Sequence, residues 1–165
     1  KKMPGVILDL RNNPGGLLDA AIDMTSDWLK IGQVAVMEEI RGGTRTEFKS
    51  TKNGVLQNIP TVVLVNEGSA SASEILAGAL QDYGKAKLVG EKTFGKGSVQ
   101  ELQKLSDGSA VKVTIAKWLT PKGRQIHEVG IPPDFEVKET KDDREADKDP
   151  VLDKAIEVLE QIVKQ

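Results

Sequence analysis

The sequence predicts a mixed α/β domain, and three observations support this fold class. Short apolar runs rich in β-branched residues, typical of buried strands, occur at residues 5–10 and 61–65. Each run is followed by a segment with apolar residues at helical spacing, at 17–29 and 74–83. Two predicted hairpins add further strands. The order strand–helix–strands–strand–helix–strand therefore implies a mixed sheet packed against helices.

The first half of the chain contains a strand, a turn, a helix and a hairpin. Residues 5–10 form the strand, and the proline and paired glycines of 11–16 are a strong turn signal. The helix at 17–29 places five residues on its inner face: Leu18, Ala21, Ile22, Thr25 and Leu29. Residues 33–41 and 44–50 are predicted to pair as a hairpin.

The second half begins with a strand at 61–65 and the helix at 74–83. A short strand is expected at 87–89, and 100–105 and 110–119 are expected to form a hairpin around Asp107-Gly108. A turn at 130–134 leads into a last strand at 135–137. No internal repeat is evident.

Three regions divide the chain by composition. Residues 1–137 form the predicted core, residues 138–150 are charged and read as a solvated connector, and residues 151–165 form a final helix. Asp149-Pro150 is a typical helix start. The predicted inner face of this helix consists of Leu152, Ile156, Leu159 and Val163.

Composition excludes several classes of function. The chain has 165 residues with 38% hydrophobic and 29% charged residues, as expected of one globular domain with a real core. A net charge of −2 gives no electrostatic case for nucleic acid or an anionic membrane. The lack of cysteine excludes disulfides and thiolate metal sites. The chain shows no signal peptide or transmembrane stretch, but it opens abruptly at Lys1-Lys2-Met3-Pro4, so that an N-terminal targeting region could be missing.

A serine cluster between the strand at 61–65 and the helix at 74–83 is the main candidate for chemistry. Ser69, Ser71 and Ser73 lie where a buried strand meets the start of a helix. Backbone N–H groups point outward there, at the positive end of the helix dipole. Nucleophilic hydrolases use this geometry to present a serine beside oxyanion donors. On local sequence alone, serines that only cap the helix are an equally good interpretation.

A nucleophilic serine needs a base. His127 has no obvious partner nearby in sequence and is more simply a structural or surface residue. The alternative is a lysine, which must be buried to become neutral because lysine titrates near about 10.4 in model peptides. Lys96 is the candidate: glycines flank it, Phe94 is apolar, and Gln100 could orient the amine. A solvated loop lysine is the plain alternative.

Two motifs, Gly68-Ser-Ala-Ser-Ala-Ser-Glu74 and Phe94-Gly-Lys-Gly-Ser-Val-Gln100, closely resemble those of the carboxy-terminal processing proteases, also called tail-specific proteases. The resemblance spans roughly residues 5–137. Two long motifs at matching separation are far more specific than one short pattern. The resemblance implies a Ser71–Lys96 dyad assisted by Gln100. It also implies oxyanion donors at the N–H groups of Ala72 and of a glycine in the Asn13–Gly16 turn, which we assign to Gly16.

The same resemblance carries further expectations. It implies the ββα-superhelix fold related to crotonase and Clp-type proteases. It implies protein or peptide substrates, no cofactor or metal, a PDZ domain in the parent chain, and a homo-oligomer as one assembly state. It also implies a periplasmic or cell-surface location. The PDZ domain and the first part of the protease core are not found in this sequence.

Two other classes of function remain open at this stage. A non-catalytic binding or regulatory module could keep the same scaffold. A crotonase-like acyl-CoA enzyme would share the oxyanion geometry, although the Gly95-Lys96-Gly97 motif argues against it. We interpret Glu74 as an acidic residue in the first helical turn, favoured by the helix dipole.

Overall fold

The structure is a computed structural model that describes residues 4–164, and it confirms the mixed α/β class. In chain order its elements are β1 (Val6–Asp9), α1 (Leu18–Ser26), β2 (Val34–Ile40), β3 (Arg45–Lys49), β4 (Thr61–Val65), α2 (Ala72–Asp82), β5 (Lys87–Gly90), β6 (Ser98–Lys104), β7 (Ala110–Leu119), β8 (Phe135–Glu136), α3 (Lys141–Glu145) and α4 (Pro150–Val163).

Parallel and antiparallel pairing are separated into two sheets rather than mixed within one. The parallel sheet has the order β1-β4-β5-β8, and the antiparallel sheet has the order β3-β2-β7-β6. Tight turns join β2 to β3 and β6 to β7, which forces antiparallel pairing. Helices and long connections separate β1, β4 and β5, which permits parallel pairing. The carboxyl ends of β1 and β4 therefore lie side by side.

The core forms on both faces of β4, whose five residues are all buried. Val63 and Val65 face α1, α2 and the antiparallel sheet, while Val62 and Leu64 face α4. This burial on two sides explains why the strand is a continuous apolar run and does not alternate with polar residues.

Helix α1 is shorter than the sequence predicts. It ends at Ser26, and the N–H groups of Trp28 and Leu29 bond to carbonyls only three residues back. The hydroxyl of Thr25 donates to the Ala21 carbonyl at 2.6 Å, so the polar side chain is satisfied within the core. Leu29 is buried as predicted, but in a turn and not on a helix.

The segment predicted as a solvated connector contains the short helix α3, which Thr140 caps by accepting from Asp143 N–H at 3.1 Å. Helix α4 begins at Pro150 as predicted, but its predicted inner face is partly wrong. Ile156 and Val163 are exposed, and the buried stripe consists of Val151, Ala155 and Val158. The predicted boundaries between the three regions, at residues 137 and 150, stay predictions. Positions 1–3 and 165 lie outside the described residues.

Candidate functional site

The end of β4 delivers Ser71 to the first turn of α2 in an unusual backbone conformation. Ser71 is the residue before the helix. Its backbone has φ 55° and ψ −116°, a region that residues other than glycine rarely adopt. The Ala70 N–H donates to the Asn13 carbonyl at 3.0 Å, which ties this turn to the turn after β1. Such strain persists only where the surroundings enforce it, and it is common at functional sites.

The side chain of Glu74 is the largest polar feature of the site. It is 0% exposed, and its two oxygens accept hydrogen bonds from four donors. Oε1 accepts from Thr93 Oγ1 at 2.6 Å and from Gly95 N–H at 2.7 Å. Oε2 accepts from the N–H groups of Ser71 at 2.9 Å and Lys96 at 2.8 Å. Glu74 is therefore a buried link between the serine turn and the lysine loop.

The sequence interpretation missed this function of Glu74. An acidic residue in a first helical turn is usually exposed and needs no explanation beyond the helix dipole. Its spacing of three residues from Ser71 is the signal that could have found it, because this spacing lets a glutamate reach back to the N–H of the residue before the helix.

Lys96 occupies a loop whose backbone is fixed but whose side chain is exposed. Besides the bond to Glu74, the loop is held by the Glu128 N–H, which donates to the Gly95 carbonyl at 2.8 Å. Within residues 4–164, no hydrogen bond joins Lys96 Nζ to Ser71 Oγ. The burial that the sequence interpretation requires for Lys96 is thus not found in this arrangement.

Gln100 lies on β6, immediately after an irregularity in its pairing with β7 between Val99 and Gln100. Its side chain is exposed. A bulge of this kind changes the direction of the strand and of the side chains that follow it. Gln100 belongs to the strand that continues directly from the Lys96 loop, and no side-chain bond to Lys96 is found within residues 4–164.

The turn after β1 brings its glycines against the serine turn. Gly15 has φ 94°, and a methyl group added there would lie 2.6 Å from the Ala70 carbonyl oxygen and 2.7 Å from Ala72 N. Gly15 N–H is already engaged, because it donates to Asn13 Oδ1 at 3.0 Å. Within the described chain, the N–H groups of Gly16 and Ala72 have no acceptor. Gly16 thus has a free N–H where Gly15 does not.

Two cavities meet at the serine turn. The first has a volume of about 590 Å³ and is lined by Asn12, Pro14, Glu67, Gly68, Ala70, Phe94 and Lys96. The second, of about 150 Å³, is apolar at its base and includes Gly16 and Ala72 in its lining, with Leu17, Ala20, Met24 and Leu76 among its side chains. Because Ala70 lines one cavity and Ala72 the other, Ser71 lies between them.

His127 and the acidic groups bound by Arg11 take no visible part in the site. In the described residues neither ring nitrogen of His127 bonds to Ser71, and Nε2 lies 3.7 Å from a carboxylate oxygen of Glu128. Asp9 is bound by Arg11, which also bonds to Asp149 at 2.8 Å. The hydrogen bond from Arg11 lowers the pKa of Asp149, against the smaller effect of burial.

Two other kinds of site, a metal centre and a membrane-spanning helix, are not found in residues 4–164. No group of three or more histidine, aspartate or glutamate side chains is arranged to hold a metal ion. None of the helices combines the length and the apolar character that a membrane crossing requires.

Comparison with known proteins places these features in a family context. The model of a protein family described as Peptidase family S41 matches residues 1–137. A carboxyl-terminal-processing protease of Synechocystis sp. is 56% identical over 136 residues, which are 82% of this chain and 31% of the relative. The chloroplastic carboxyl-terminal-processing peptidase 3 of Arabidopsis thaliana is 52% identical over 130 residues, covering 79% of this chain and 25% of the relative.

A solved structure agrees with these matches. The photosystem II D1 C-terminal processing protease superimposes with a TM-score of 0.77 and 42% sequence identity. The match covers 82% of this chain and 35% of that protein. The chain therefore spans about a quarter to a third of the length of these relatives.

Proposed function

The chain belongs to peptidase family S41, and from this premise we propose that it carries the catalytic centre of a serine endopeptidase that cleaves proteins near their C-termini. The observation that carries the proposal is the placement of Ser71. It lies in a strained turn between a cavity lined by Lys96 and a second cavity whose lining includes Gly16 and Ala72, the two residues with free N–H groups.

The proposed reaction proceeds through an acyl-enzyme. Ser71 Oγ attacks the carbonyl carbon of the peptide, and a neutral Lys96 takes its proton. The Gly16 and Ala72 N–H groups bind the oxyanion that forms, and Gln100 orients the amine of Lys96. Lys96 then protonates the leaving amine, and water hydrolyses the ester on Ser71. Protein groups and water suffice for every step.

The exposure of Lys96 is compatible with this mechanism if substrate covers it. Lys96 and the exposed Phe94 line the same 590 Å³ cavity, so a peptide bound there would displace water from the amine. Loss of water favours the uncharged form of a lysine, which is the form that can accept a proton. Substrate binding would then complete the base.

The second cavity supports an apolar side chain at the cleaved residue. A carbonyl oxygen bound by the Gly16 and Ala72 N–H groups places its own residue's side chain close to the lining of this cavity. Aliphatic and thioether groups dominate the lining, and no charged side chain contributes to it. A charged substrate residue would be buried there without a partner, which is costly.

The test is cleavage of a peptide with an apolar residue at the scissile bond by the full-length protein that contains this chain. We expect Ser71→Ala and Lys96→Ala each to lower kcat by about 10⁴-fold or more, with the fold intact by circular dichroism. Lys92→Ala, at an exposed lysine of the same segment, is the matched control and should retain activity. Normal cleavage by either site variant would refute the assignment.

The exposed position of Lys96 also favours a second candidate function, a peptide-binding module without catalysis. An unactivated Ser71 would not react with a serine-directed acylating probe, whereas an activated serine would be labelled. Peptide binding without labelling or cleavage would support the second candidate.

For the whole protein, the family resemblance leads us to propose a PDZ domain, self-association and a location in the periplasm or at the cell surface. Sequencing of the complete gene, light scattering and cell fractionation test the three in turn.

A further inference from the structure

Two asparagines join the turn after β1 to the turn after β4 by a closed pair of hydrogen bonds. The Asn12 N–H donates to Asn66 Oδ1 at 2.9 Å, and Asn66 Nδ2 donates back to Asn12 Oδ1 at 3.1 Å. Asn66 Oδ1 also accepts from the Gly68 N–H at 3.0 Å. One amide oxygen therefore holds a backbone N–H from each turn.

The backbone at these positions is adapted to the pair. Asn12 has φ 56°, which asparagine tolerates better than most residues with a side chain. At Gly68, a methyl group would lie 2.8 Å from Asn12 Cα and 2.8 Å from Asn12 Oδ1. The two turns are thus in direct contact, with no room for a side chain between them.

The fixed Asn12 peptide leads directly to the proposed oxyanion donors. Its neighbour Asn13 accepts through its carbonyl from Ala70 N–H at 3.0 Å and from Ser73 Oγ at 3.1 Å. Asn13 Oδ1 accepts from Gly15 N–H at 3.0 Å. These bonds leave the next N–H, that of Gly16, free on the same cavity wall as Ala72.

We propose that Asn66 is a positioning residue that sets the separation of the Gly16 and Ala72 N–H groups by clamping Asn12. The inference rests on the proposed peptidase function. Asn66 does not touch the reacting atoms, and it acts through the backbone of the turn after β1. Displacing one oxyanion donor weakens binding of the transition state more than binding of the substrate, so kcat and not KM should respond.

The fold has other bonds that join the same two turns. Ser69 Oγ donates to the Leu10 carbonyl at 2.8 Å, and the Ala70 N–H donates to the Asn13 carbonyl at 3.0 Å. Neither bond uses the Asn66 side chain. The Asn12 N–H and Asn66 amide bonds are solvent-exposed, so water can replace them. We therefore expect loss of the Asn66 amide to affect catalysis much more than stability.

The experiment compares four variants of the full-length protein in peptide cleavage and thermal unfolding. Asn66→Leu removes all three side-chain bonds at similar volume. Asn66→Asp keeps the two bonds accepted from the N–H groups of Asn12 and Gly68. Rotation of the Asn12 amide lets its Nδ2 donate to the new carboxylate, which restores the third bond. Asn12→Gly suits the positive φ and removes one clamp bond. The control is Asn58→Leu, at an exposed asparagine before the opposite end of β4.

We expect Asn66→Leu to lower kcat about 10- to 100-fold with little change in KM. Asn66→Asp should recover most of the lost kcat, and Asn12→Gly should lose less kcat than Asn66→Leu. All variants should have melting temperatures close to that of the control. The clamp is overturned if the unsubstituted protein cleaves but Asn66→Leu keeps its kcat, or if KM alone changes. It is also overturned if kcat falls only in those variants whose melting temperature falls and Asn66→Asp does not recover kcat. If the unsubstituted protein cleaves no peptide, the peptidase proposal fails, and the clamp fails with it.

Discussion

Ser71 and Lys96 donate their backbone N–H groups to the same atom, Oε2 of Glu74, at 2.9 and 2.8 Å. The backbones of the proposed nucleophile and base are therefore held together by one buried oxygen, although their side chains do not bond to each other in this structure. The two residues are 25 positions apart in the sequence, with α2 and β5 between them, and their bonds to Glu74 bring them together in space. The distance between the backbones of Ser71 and Lys96 therefore depends on the ability of Glu74 to accept both hydrogen bonds.

The first prediction concerns the hydrogen bonds that the Glu74 carboxylate accepts. Glu74→Gln replaces one oxygen by an NH₂ group, which cannot accept from the N–H groups that face it. Buried N–H groups then lack partners, so we expect a loss of about 2–4 kcal/mol in the free energy of unfolding. Cleavage should fall by about 10-fold or more, because the serine turn and the lysine loop separate.

Denaturant unfolding and peptide cleavage measure these two effects. The control is Glu101→Gln, at an exposed position of β6, which should change neither. A Glu74→Gln protein as stable and as active as the unsubstituted one would show that the four bonds are dispensable.

The two glycines after Pro14 provide a second prediction. A methyl group on Gly15 would meet the backbone of the serine turn at 2.6 and 2.7 Å, at a φ of 94° that disfavours side chains. A methyl group on Gly16 would meet nothing within 4 Å. Gly15→Ala should therefore destabilise the protein by about 2 kcal/mol or more and abolish cleavage, whereas Gly16→Ala should keep its fold.

Gly16→Ala keeps the proposed oxyanion donor, because alanine retains the N–H. We expect its kcat to stay within about 10-fold of the original value, since the donor remains. Thermal unfolding and steady-state cleavage of the two variants, measured side by side, check the prediction. Equal stability of the two would contradict the close packing of Gly15 against Ser71.

The sequence could predict the elements because local patterns determine them. The buried run of β4, the hairpin turns and the Asp149-Pro150 helix start all follow from short-range chemistry. The two-sheet arrangement depends on long-range pairing, and local patterns do not contain it. Ser71 and Lys96 could be named because their motifs resemble those of a family.

Glu74 and Asn66 were not recognised for a different reason. Both residues also bond to near neighbours, but the partners that join the two parts of the site are far away in sequence: Glu74 bonds to residues about twenty positions on, and Asn66 to a residue 54 positions back. A pattern of neighbouring residues does not reveal such partners. The burial of Lys96 was inferred from flanking glycines and Phe94, but Phe94 is itself exposed.

The third prediction follows from the strained backbone of Ser71. Its φ of 55° and ψ of −116° suit glycine, so Ser71→Gly should relieve strain that other side chains must tolerate. Ser71→Ala keeps the Cβ atom and the strain. We expect Ser71→Gly to be more stable than Ser71→Ala by about 1 kcal/mol, with both proteins inactive. Chemical denaturation of the pair provides the measurement, and a less stable glycine variant would indicate that the turn is not strained.

The fourth prediction concerns pH. Arg11 forms ion pairs with Asp9 and with Asp149, the residue that caps α4, both at 2.8 Å. The hydrogen bond from Arg11 lowers the pKa of Asp149 from its ordinary value of 3.8. For Asp9, burial acts in the opposite direction, but the bonds and charge of Arg11 outweigh it and the pKa is again lowered. The native state therefore binds fewer protons than the unfolded state in acid.

It follows that these pairs stabilise the protein above the ordinary aspartate pKa. Their contribution should decrease as the pH falls from about 5 through the lowered native values, because protonation removes the negative charges. At neutral pH we expect Asp149→Asn to cost below about 1 kcal/mol, since water partly screens the pair and asparagine still caps the helix. The cost should shrink as the pH falls below the ordinary aspartate pKa of 3.8 towards the lowered native value.

Unfolding measured at pH 7, 5, 4 and 3 in low salt checks this prediction. Asp147→Asn is a suitable control, because Asp147 has a positive φ of 53° that asparagine tolerates, and the charge removed is exposed. The difference between the unsubstituted protein and Asp149→Asn should shrink in acid, whereas the difference for the control should stay near zero. A difference that grows as the pH falls would mean that Asp149 is easier to protonate in the native state, contrary to the ion pair with Arg11.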